Sequence, residues 1–431
     1  MARKMKDSGI EWIGEIPEGW EIHRIKTHFS IISGSGFKPE LQGQSTGDFP
    51  VCKASDISSS GHYLHTSANY ITSDIVKSQH FSIIPKGSIL FAKIGEAMRK
   101  NNRSLCSLDC CVDNNCQGLV PKNISSEFSY YLFTCIDMTW FDNAGTIPCI
   151  NNQKLYDCRI PFPSYGEQTL IANHLNIQCA KINEMLFHIR SSIEEYKKLK
   201  QAVITQAVTK GVRGEREMKD SGNPWFGQIP TDWKLSRVGL HFSIILGKML
   251  CNAPLNDTYT LEPYYCAADV HFDGVADGER KKMWFSPVEK DLYRVLVGDL
   301  LVVEGGAGAG GSAIVENQDS CTYIQNSIMI VRSKGNTDNR YLRYLLEFLV
   351  KQGYIDIVCN KATIPHFTKD KLSGVPFCLC PTGEQKEIAD YLDAKCAEID
   401  KLIAKKEQLV KELESYKKSL IYEVVTGKRE V

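Results

Sequence analysis

The chain contains the same opening segment twice, and this repeat constrains the fold more than any other feature. The first segment, "MKDSGIEWIGEIPEGW", begins at residue 5, and the second, "MKDSGNPWFGQIPTDW", begins at residue 218. Alignment of residues 5–32 with 218–245 gives 16 identities in 28 positions. The repeat period is far too long for a solenoid, so the sequence predicts two duplicated domains.

A second pair of matched segments lies further along each half. "GTIPCINNQKL" (145–155) resembles "ATIPHFTKDKL" (362–372), and "GEQTLIANHL" (166–175) resembles "GEQKEIADYL" (383–392). The stretches between the matched ends, 33–144 and 246–361, have diverged. Similar ends predict the same structural role in both copies, whereas different centres are typical of domains that recognise different targets.

The diverged centres carry mixed secondary-structure signals. Residues 81–95 and 291–306 place a glycine turn before a short apolar run, and residues 112–122 and 323–333 form a second matched strand pattern. Helical periodicity follows at 127–141 and 339–352. The sequence therefore predicts two mixed α/β domains.

A long amphipathic helix is expected after each domain, over about 167–208 and about 384–425. Each would be roughly 60 Å long, so its exposed apolar stripe would be unfavourable in water. We expect the stripes to bury each other in an antiparallel coiled coil with a pseudo-twofold arrangement of the halves. The predicted interface residues are Ile171, Leu175, Ile182, Ile189, Ile193, Leu199, Ile388, Leu392, Ile399, Ile403, Leu413 and Leu420.

Charge and cysteine content narrow the function classes. Lys+Arg and Asp+Glu both total 51, so the net charge of the whole chain does not indicate binding to nucleic acid or to a membrane. The 16 cysteines contain no CxxC pair and no secretory signal precedes them, so we expect a reducing cytoplasm. The cluster Cys106, Cys110, Cys111 and Cys116 fits either a zinc site or buried thiols, and its spacing favours thiols. No apolar run reaches the roughly 20 residues of a membrane span.

The order of these segments resembles the specificity subunit of type I restriction-modification enzymes. The resemblance rests on the "SGIEWIGEIPEGW" opening, the variable α/β domain, the "GEQ" helix start and the repetition of the whole unit. It implies target recognition domains at 1–165 and 213–382, and conserved long helices at 166–212 and 383–431. Each domain would read half of a bipartite site in double-stranded DNA, and the helices would set the spacing.

The resemblance also implies partners and a division of labour. Two methyltransferase subunits would dock on the helices, and restriction subunits with translocase activity would join them. Those partners would bind S-adenosylmethionine, ATP and Mg²⁺, methylate adenine at N6 and cut unmodified DNA. This chain would be non-catalytic and bind no cofactor or metal.

The residues themselves give the same expectation about catalysis. The sequence has no Asn/Asp-Pro-Pro-aromatic tetrapeptide and no GxxxxGK[ST] loop. Gly306, Gly308 and Gly311 do follow GxGxxG spacing, which leaves a self-sufficient methyltransferase as one alternative. That fingerprint needs a helix at its third glycine, and β-like runs follow instead, so we expect a loop between strands. A coiled-coil adaptor without a DNA role is the other alternative.

Candidate DNA contacts come from local basic segments in the diverged centres. Arg pairs with guanine, Asn with adenine, and Lys neutralises phosphate. The alternative for each segment is a solvated surface loop. The candidates are Lys38, Lys53, Lys93, Arg99, Lys100, Asn102, Arg103, Lys248, Arg280, Lys281 and Lys282.

Overall fold

A computed structural model describes residues 3–143, 145–317, 321–359 and 365–431. The chain forms two compact units: unit 1 comprises Met1–Arg190 and Gln408–Val431, and unit 2 comprises Ser191–Glu407. Part of one matched segment, residues 362–364, lies outside the described residues, as do residues 318–320 after the glycine-rich run.

Unit 1 contains twelve strands among its described residues, and one long helix begins after them. The strands are β1 Met5–Asp7, β2 Glu15–Pro17, β3 Glu21–Arg24, β4 Phe29–Ser33, β5 Phe49–Cys52, β6 Tyr63–Leu64, β7 Tyr70–Ile71, β8 Ile89–Ala92, β9 Arg103–Cys106, β10 Cys111–Val112, β11 Cys116–Pro121 and β12 Arg159–Phe162. The helices are α1 Ile25–His28, α2 Ala54–Ser59, α3 Ser73–Ser78, α4 Gly95–Arg99, α5 Ser126–Thr134, α6 Asn152–Asp157 and the long α7 Tyr165–Lys210, with 3₁₀ turns at Pro39–Leu41 and Met138–Phe141.

Unit 2 repeats this plan and contains the start of the second long helix. Its strands are β13 Met218–Asp220, β14 Gln228–Pro230, β15 Lys234–Arg237, β16 Phe242–Leu246, β17 Thr260–Tyr265, β18 Val270–His271, β19 Gly274–Val275, β20 Lys281–Phe285, β21 Leu300–Val303, β22 Ser312–Ile314, β23 Tyr323–Ile324, β24 Ile328–Ser333 and β25 Pro376–Leu379. Its helices are α8 Val238–His241, α9 Pro287–Tyr293, α10 Asn339–Lys351, α11 Tyr354–Val358, α12 Lys369–Ser373 and α13 Thr382–Val425, with a 3₁₀ turn at Ala267–Asp269.

The two units share a sheet topology even where their sequences have diverged. The larger sheet has the order β4-β11-β8-β9-β6 in unit 1 and β16-β24-β21-β22 in unit 2. A three-stranded sheet follows the order β10-β5-β7 in unit 1 and β23-β17-β20 in unit 2, with one parallel and one antiparallel pair in each. The predicted mixed α/β duplication is therefore confirmed.

The central strands β8 and β21 are apolar on both faces because each lies between two cores. Ile89 and Phe91 join the core under α5, whereas Leu90 and Ala92 join a separate core on the other face. β21 alternates in the same way. This period of two is what a strand buried on both sides requires.

The "GEQ" segments tie each long helix to the domain that precedes it. Gln168 is fully buried, accepts from Ser125 N (2.9 Å) at the start of α5, and donates to Pro163 O (2.9 Å). Gln385 accepts from Asp338 N (3.0 Å) at the start of α10 and donates to Cys380 O (2.8 Å). The same side chain thus fixes the same helix junction in both units.

The glutamate of each segment pairs with an arginine beside a buried tryptophan. In unit 1, Glu167 accepts from Trp20 Nε1 (2.9 Å) and pairs with Arg3 at 2.5 Å. In unit 2, Glu384 is fully buried and pairs with Arg216, whose guanidinium lies over the Trp233 ring. These contacts place each tryptophan of a domain opening against the start of a long helix.

Replacing Arg216 with methionine is expected to lower the free energy of unfolding by about 3 kcal/mol. The substitution leaves the buried Glu384 carboxylate with only Arg213 at 3.8 Å, and breaking a buried pair costs roughly 3–5 kcal/mol. Arg190→Met is the control, because its pair with Glu414 is 58% and 46% exposed and contributes about 0.5 kcal/mol. Equal shifts of the urea midpoint in the two variants would contradict the prediction.

The long helices pack against each other within each unit. In unit 1, Arg190 of α7 pairs with Glu414 of α13 at 2.5 Å, and Lys417 donates to Asn183 Oδ1 at 2.7 Å. In unit 2, Lys200 pairs with Asp400 at 2.6 Å. No described helix is long and apolar enough to cross a membrane.

The predicted interface residues of the helices differ in exposure. Leu199 is 48% exposed, so it contributes less buried surface than the other residues of the set. Half-buried residues are Ile189, Ile403 and Leu413. Buried residues are Ile171, Leu175, Ile182, Ile193, Ile388, Leu392, Ile399 and Leu420.

The cysteine cluster packs as apolar core. Cys106, Cys110 and Cys116 are buried in one hydrophobic cluster, and Cys111 is buried in another. Burial raises the pKa of the Cys111 thiol to about 11, which disfavours the thiolate that zinc needs. Across the described residues, no three His, Cys, Asp or Glu side chains are grouped to hold a metal ion.

Candidate nucleic-acid interface

The basic residues singled out in the sequence lie in two different settings. Lys38, Arg99, Lys100, Asn102, Lys281 and Lys282 are exposed, and Lys53 and Lys93 are half-buried. Lys100 and Asn102 follow α4, whereas Lys281 and Lys282 begin β20, which lies at the edge of its sheet. These side chains can reach an external partner.

Three of the candidate side chains are instead used inside the protein. Arg103 is 5% exposed and donates to Ile136 O (3.1 Å), and burial lowers the pKa of its guanidinium to about 10. Lys248 is 9% exposed and pairs with Glu289 at 2.5 Å. Arg280 pairs with Asp269 at 3.2 Å and lies over the Tyr265 ring. These partners come from distant sequence positions, so we assign the three residues structural roles.

The segment after α4 borders a groove of about 790 Å³ within unit 1. Asn102 and, from α13, Lys417 and Lys418 are among the residues that line this groove. Lys418 is exposed and forms no ion pair within the described residues. The groove therefore brings amide and ammonium donors together, which is a combination that suits phosphate oxygens.

A second candidate region, which sequence reasoning missed, is the turn at one end of the larger sheet in each unit. In unit 1 the turn between β10 and β11 is closed by Cys116 N donating to Asp113 O at 3.1 Å. In unit 2 the turn between β23 and β24 is closed by Ile328 N donating to Gln325 O at 2.9 Å. We call these the reading turns, residues 113–115 and 325–327.

Matching backbone hydrogen bonds hold the two reading turns. Asn115 O accepts from Lys93 N, and Ser327 O accepts from Glu304 N, both at 2.8 Å. The next bond also recurs: Lys93 O accepts from Ile150 N (2.9 Å), and Glu304 O accepts from Phe367 N (2.6 Å). Three chain segments therefore converge in the same way in both units.

A glycine packs against each reading turn. Gly34 donates to Cys116 O at 3.1 Å, and Gly247 donates to Ile328 O at 3.0 Å. A Cβ at Gly34 would lie 1.9 Å from Asp113 O, and one at Gly247 would lie 2.3 Å from Gln325 O. Only glycine allows this close approach of backbone to backbone.

The side chains on this shared frame differ between the two units. Lys93 and Asp113 of unit 1 correspond to Glu304 and Gln325 of unit 2. The substitutions change charge and hydrogen-bonding character while the backbone bonds stay the same. One frame thus presents two chemically different surfaces.

The sequence did carry a signal for this region. The segments "VDNNCQGLVPK" and "YIQNSIMIVRS" were matched as strands, and the amide residues at their turns are typical of base readout. The candidates were instead taken from local basic segments, which do not include these turns.

The glycine-rich run of unit 2 connects two strands. β21 pairs antiparallel with β22, and residues 304–311 form the connection between them. Gly311, the third glycine of the GxGxxG pattern, is followed by β22 and not by a helix. The expected loop between strands is confirmed, and the dinucleotide-type site of the methyltransferase alternative lacks its helix.

Comparison with known proteins finds the same family in both halves. The family model for the type I restriction modification DNA specificity domain matches residues 17–195 and 232–412. The type I restriction enzyme MjaVIII specificity subunit of Methanocaldococcus jannaschii is 25% identical over 96% of this chain and 93% of that protein. The StySPI specificity subunit of Salmonella potsdam is 21% identical over 96% of this chain and 90% of that protein.

Solved structures share the fold. A chain from a structure on complex assembly and conformational transition of the type I R-M system matches with a TM-score of 0.70 and 18% identity, over 96% of this chain and 99% of that chain. The HsdS subunit from Thermoanaerobacter tengcongensis matches with a TM-score of 0.51 and 18% identity, over 96% and 98%. The chain therefore belongs to the type I restriction-modification DNA specificity family and is a specificity subunit with two recognition domains.

Proposed function

We propose that the two recognition domains, residues 1–165 and 213–382, each read one half of a split site in double-stranded DNA. The observation that carries this proposal is the pair of reading turns, which have matching backbone hydrogen bonds but carry different side chains. Two domains that read different bases need different side chains at the contact positions, and a common backbone can hold both sets in place.

The exposed and half-buried cations then position the DNA through its phosphates. Phosphate contacts from Lys and Arg fix register and orientation. We assign this role to Lys38, Lys53, Lys93, Arg99, Lys100, Lys281 and Lys282, with Asn102 as a neutral donor beside them. Since the chain has no net charge, partner subunits supply much of the remaining phosphate neutralisation.

The long helices, residues 166–212 and 383–431, set the spacer in this proposal. Ion pairs between α7 and α13 within each unit, together with the buried stripes of both helices, support an antiparallel coiled coil with pseudo-twofold related halves. Helices that are paired along their length resist bending and can hold two readers at a fixed separation.

The outer faces of the helices suit partner subunits. Exposed apolar residues recur at a spacing of seven within unit 1, namely Leu170 and Ile177 on α7 and Leu409 and Tyr416 on α13. Such stripes favour packing against further helices. We assign them to two methyltransferase subunits, which restriction subunits with translocase activity then join.

The chemistry of the complex resides in these partners under the proposal. The methyltransferase subunits bind S-adenosylmethionine and transfer its methyl group to adenine N6, and the restriction subunits use ATP and Mg²⁺. The specificity chain is non-catalytic and works in the cytoplasm, where its buried thiols stay reduced.

Mapping of modified DNA tests this function. The full chain is expressed with its methyltransferase partner in a host that lacks adenine methylation, and modified adenines are located by long-read sequencing. We expect two short defined half-sites around a fixed unread gap. A single continuous motif, or no modification by an assembled complex, would contradict the proposal.

A further inference from the structure

Asn114 and Asn326 occupy the same position at the tips of the two reading turns. Each is the residue directly after the turn's closing carbonyl, on Asp113 in unit 1 and on Gln325 in unit 2. Asn114 is exposed and Asn326 is half-buried, and neither carboxamide hydrogen-bonds to any described residue.

The residues beside them are already engaged. Asn115 Nδ2 donates to Asp113 Oδ2 at 3.1 Å, and Ser327 Oγ donates to Gln325 Oε1 at 2.6 Å. In both units the flanking side chains stabilise the turn, and the tip asparagine alone keeps its full donor and acceptor capacity. The two tips thus present the same free carboxamide although the flanking residues differ.

The backbone beneath each tip is held on both sides. The segments that contain Gly34 and Gly247, directly after β4 and β16, pack on one side, and the bonds from Lys93 N and Glu304 N fix the other. Holding the reading group in advance lowers the entropy lost on binding. A rigid turn that carries one free amide is therefore suited to contact a base edge.

The chemistry of the carboxamide selects one base. It offers a donor and an acceptor side by side, which matches N7 and the N6 amino group of adenine in the major groove. Lysine and arginine would instead favour phosphate or guanine.

We propose that Asn114 and Asn326 each read an adenine in the major groove, one in each half-site. This inference rests on the proposed function and adds the residues and the base. It requires each half-site to contain a defined A·T pair other than the pair whose adenine is methylated. The other defined positions differ between the half-sites, as the flanking side chains do.

The test uses the full chain in complex with its methyltransferase partner and maps methylated sites for Asn114→Ala and Asn326→Ala. Asn336→Ala is the matched control, because this exposed asparagine follows the opposite end of β24. We expect Asn114→Ala to relax one A·T position in one half-site and Asn326→Ala to relax one in the other. Discrimination at that position should fall by about tenfold to a hundredfold, and Asn336→Ala should keep the original motif.

Two results would overturn the inference while leaving the proposed function intact. The first is a wild-type split motif in which either half-site lacks a defined A·T pair besides the methylated one, a result that does not depend on how the variants fold. The second is a variant motif that is unchanged, or relaxed at a G·C position. A wild-type complex without a split motif would instead contradict the proposed function itself.

Discussion

Inserting seven residues into each long helix is expected to widen the unread gap of the modified site by about three base pairs and to leave both half-sites unchanged. Seven residues add roughly 10.5 Å of helix, and DNA rises about 3.4 Å per base pair. Seven residues also complete nearly two whole turns, so the buried stripe returns to the same face.

The ion pairs define where the insertions belong. One lies in α7 between Arg190 and Lys200, and the other lies in α13 between Asp400 and Glu414. The pairs Arg190–Glu414 and Lys200–Asp400 then keep their partners. Because the reading turns are untouched, the half-sites stay the same.

A seven-residue insertion at Gly335–Asn336 is the control, since this exposed turn lies outside both helices. It should leave the gap at its original length. Methylated-site mapping of all three complexes gives the comparison. A gap of constant length in the complex with longer helices would show that the helices do not set the spacing.

The repeat allowed much of the architecture to be predicted, because patterns that depend on local chemistry survive in both copies. The predicted helix over about 167–208 corresponds to α7 Tyr165–Lys210, and the strand patterns in the centres correspond to β8, β11, β21 and β24. Strand alternation and helical stripes reflect burial on one side or two, which sequence periodicity records directly.

The candidate site was predicted less well, because the fate of a cation depends on partners that are distant in sequence. Lys248 was selected as a DNA contact, yet its ammonium forms an ion pair with the carboxylate of Glu289. Arg103 was selected from the same basic segment as Lys100, but its backbone enters β9 and its side chain becomes buried. Neither outcome is visible from local composition.

The reading turns escaped prediction for a related reason. The sequence matches the segments that contain them, but the residue-by-residue correspondence of the turns comes from the hydrogen bonds of Lys93 and Glu304, which are distant in sequence. The glycines that pack on them, Gly34 and Gly247, follow the identical "HFSII" blocks at the same spacing, but the sequence does not show what they contact. Their importance comes from a close approach that only the folded chain creates.

That close approach predicts that Gly34→Ala strongly impairs modification of DNA. The new Cβ would lie 1.9 Å from Asp113 O and 2.5 Å from Val112 O, and both are backbone atoms that no side-chain rotation can move away. Overpacking of this kind costs about 1–3 kcal/mol or more. If the turn shifts to relieve the clash, one half-site is read poorly, and we expect the methylation rate to fall by about tenfold or more.

Gly36→Ala provides the control within the same loop. A Cβ at Gly36 has no heavy atom within 4 Å, and neither Gly34 nor Gly36 has a left-handed backbone, so steric contact alone distinguishes the two variants. Methylation rates on DNA that carries the wild-type site are measured for both complexes, with circular dichroism to check folding. Equal rates would mean that the reading turn does not need its present position.

Gly247→Ala makes the same change in the second domain, where the new Cβ would lie 2.3 Å from Gln325 O. If both turns read DNA, each alanine variant relaxes or loses only its own half-site, because the two frames belong to separate recognition domains. Residual methylation of Gly34→Ala should therefore keep the half-site that Gly247→Ala loses, and the reverse should hold for Gly247→Ala. Loss of the same half-site in both variants would show that the backbone frame of each turn does not determine which half-site its domain reads.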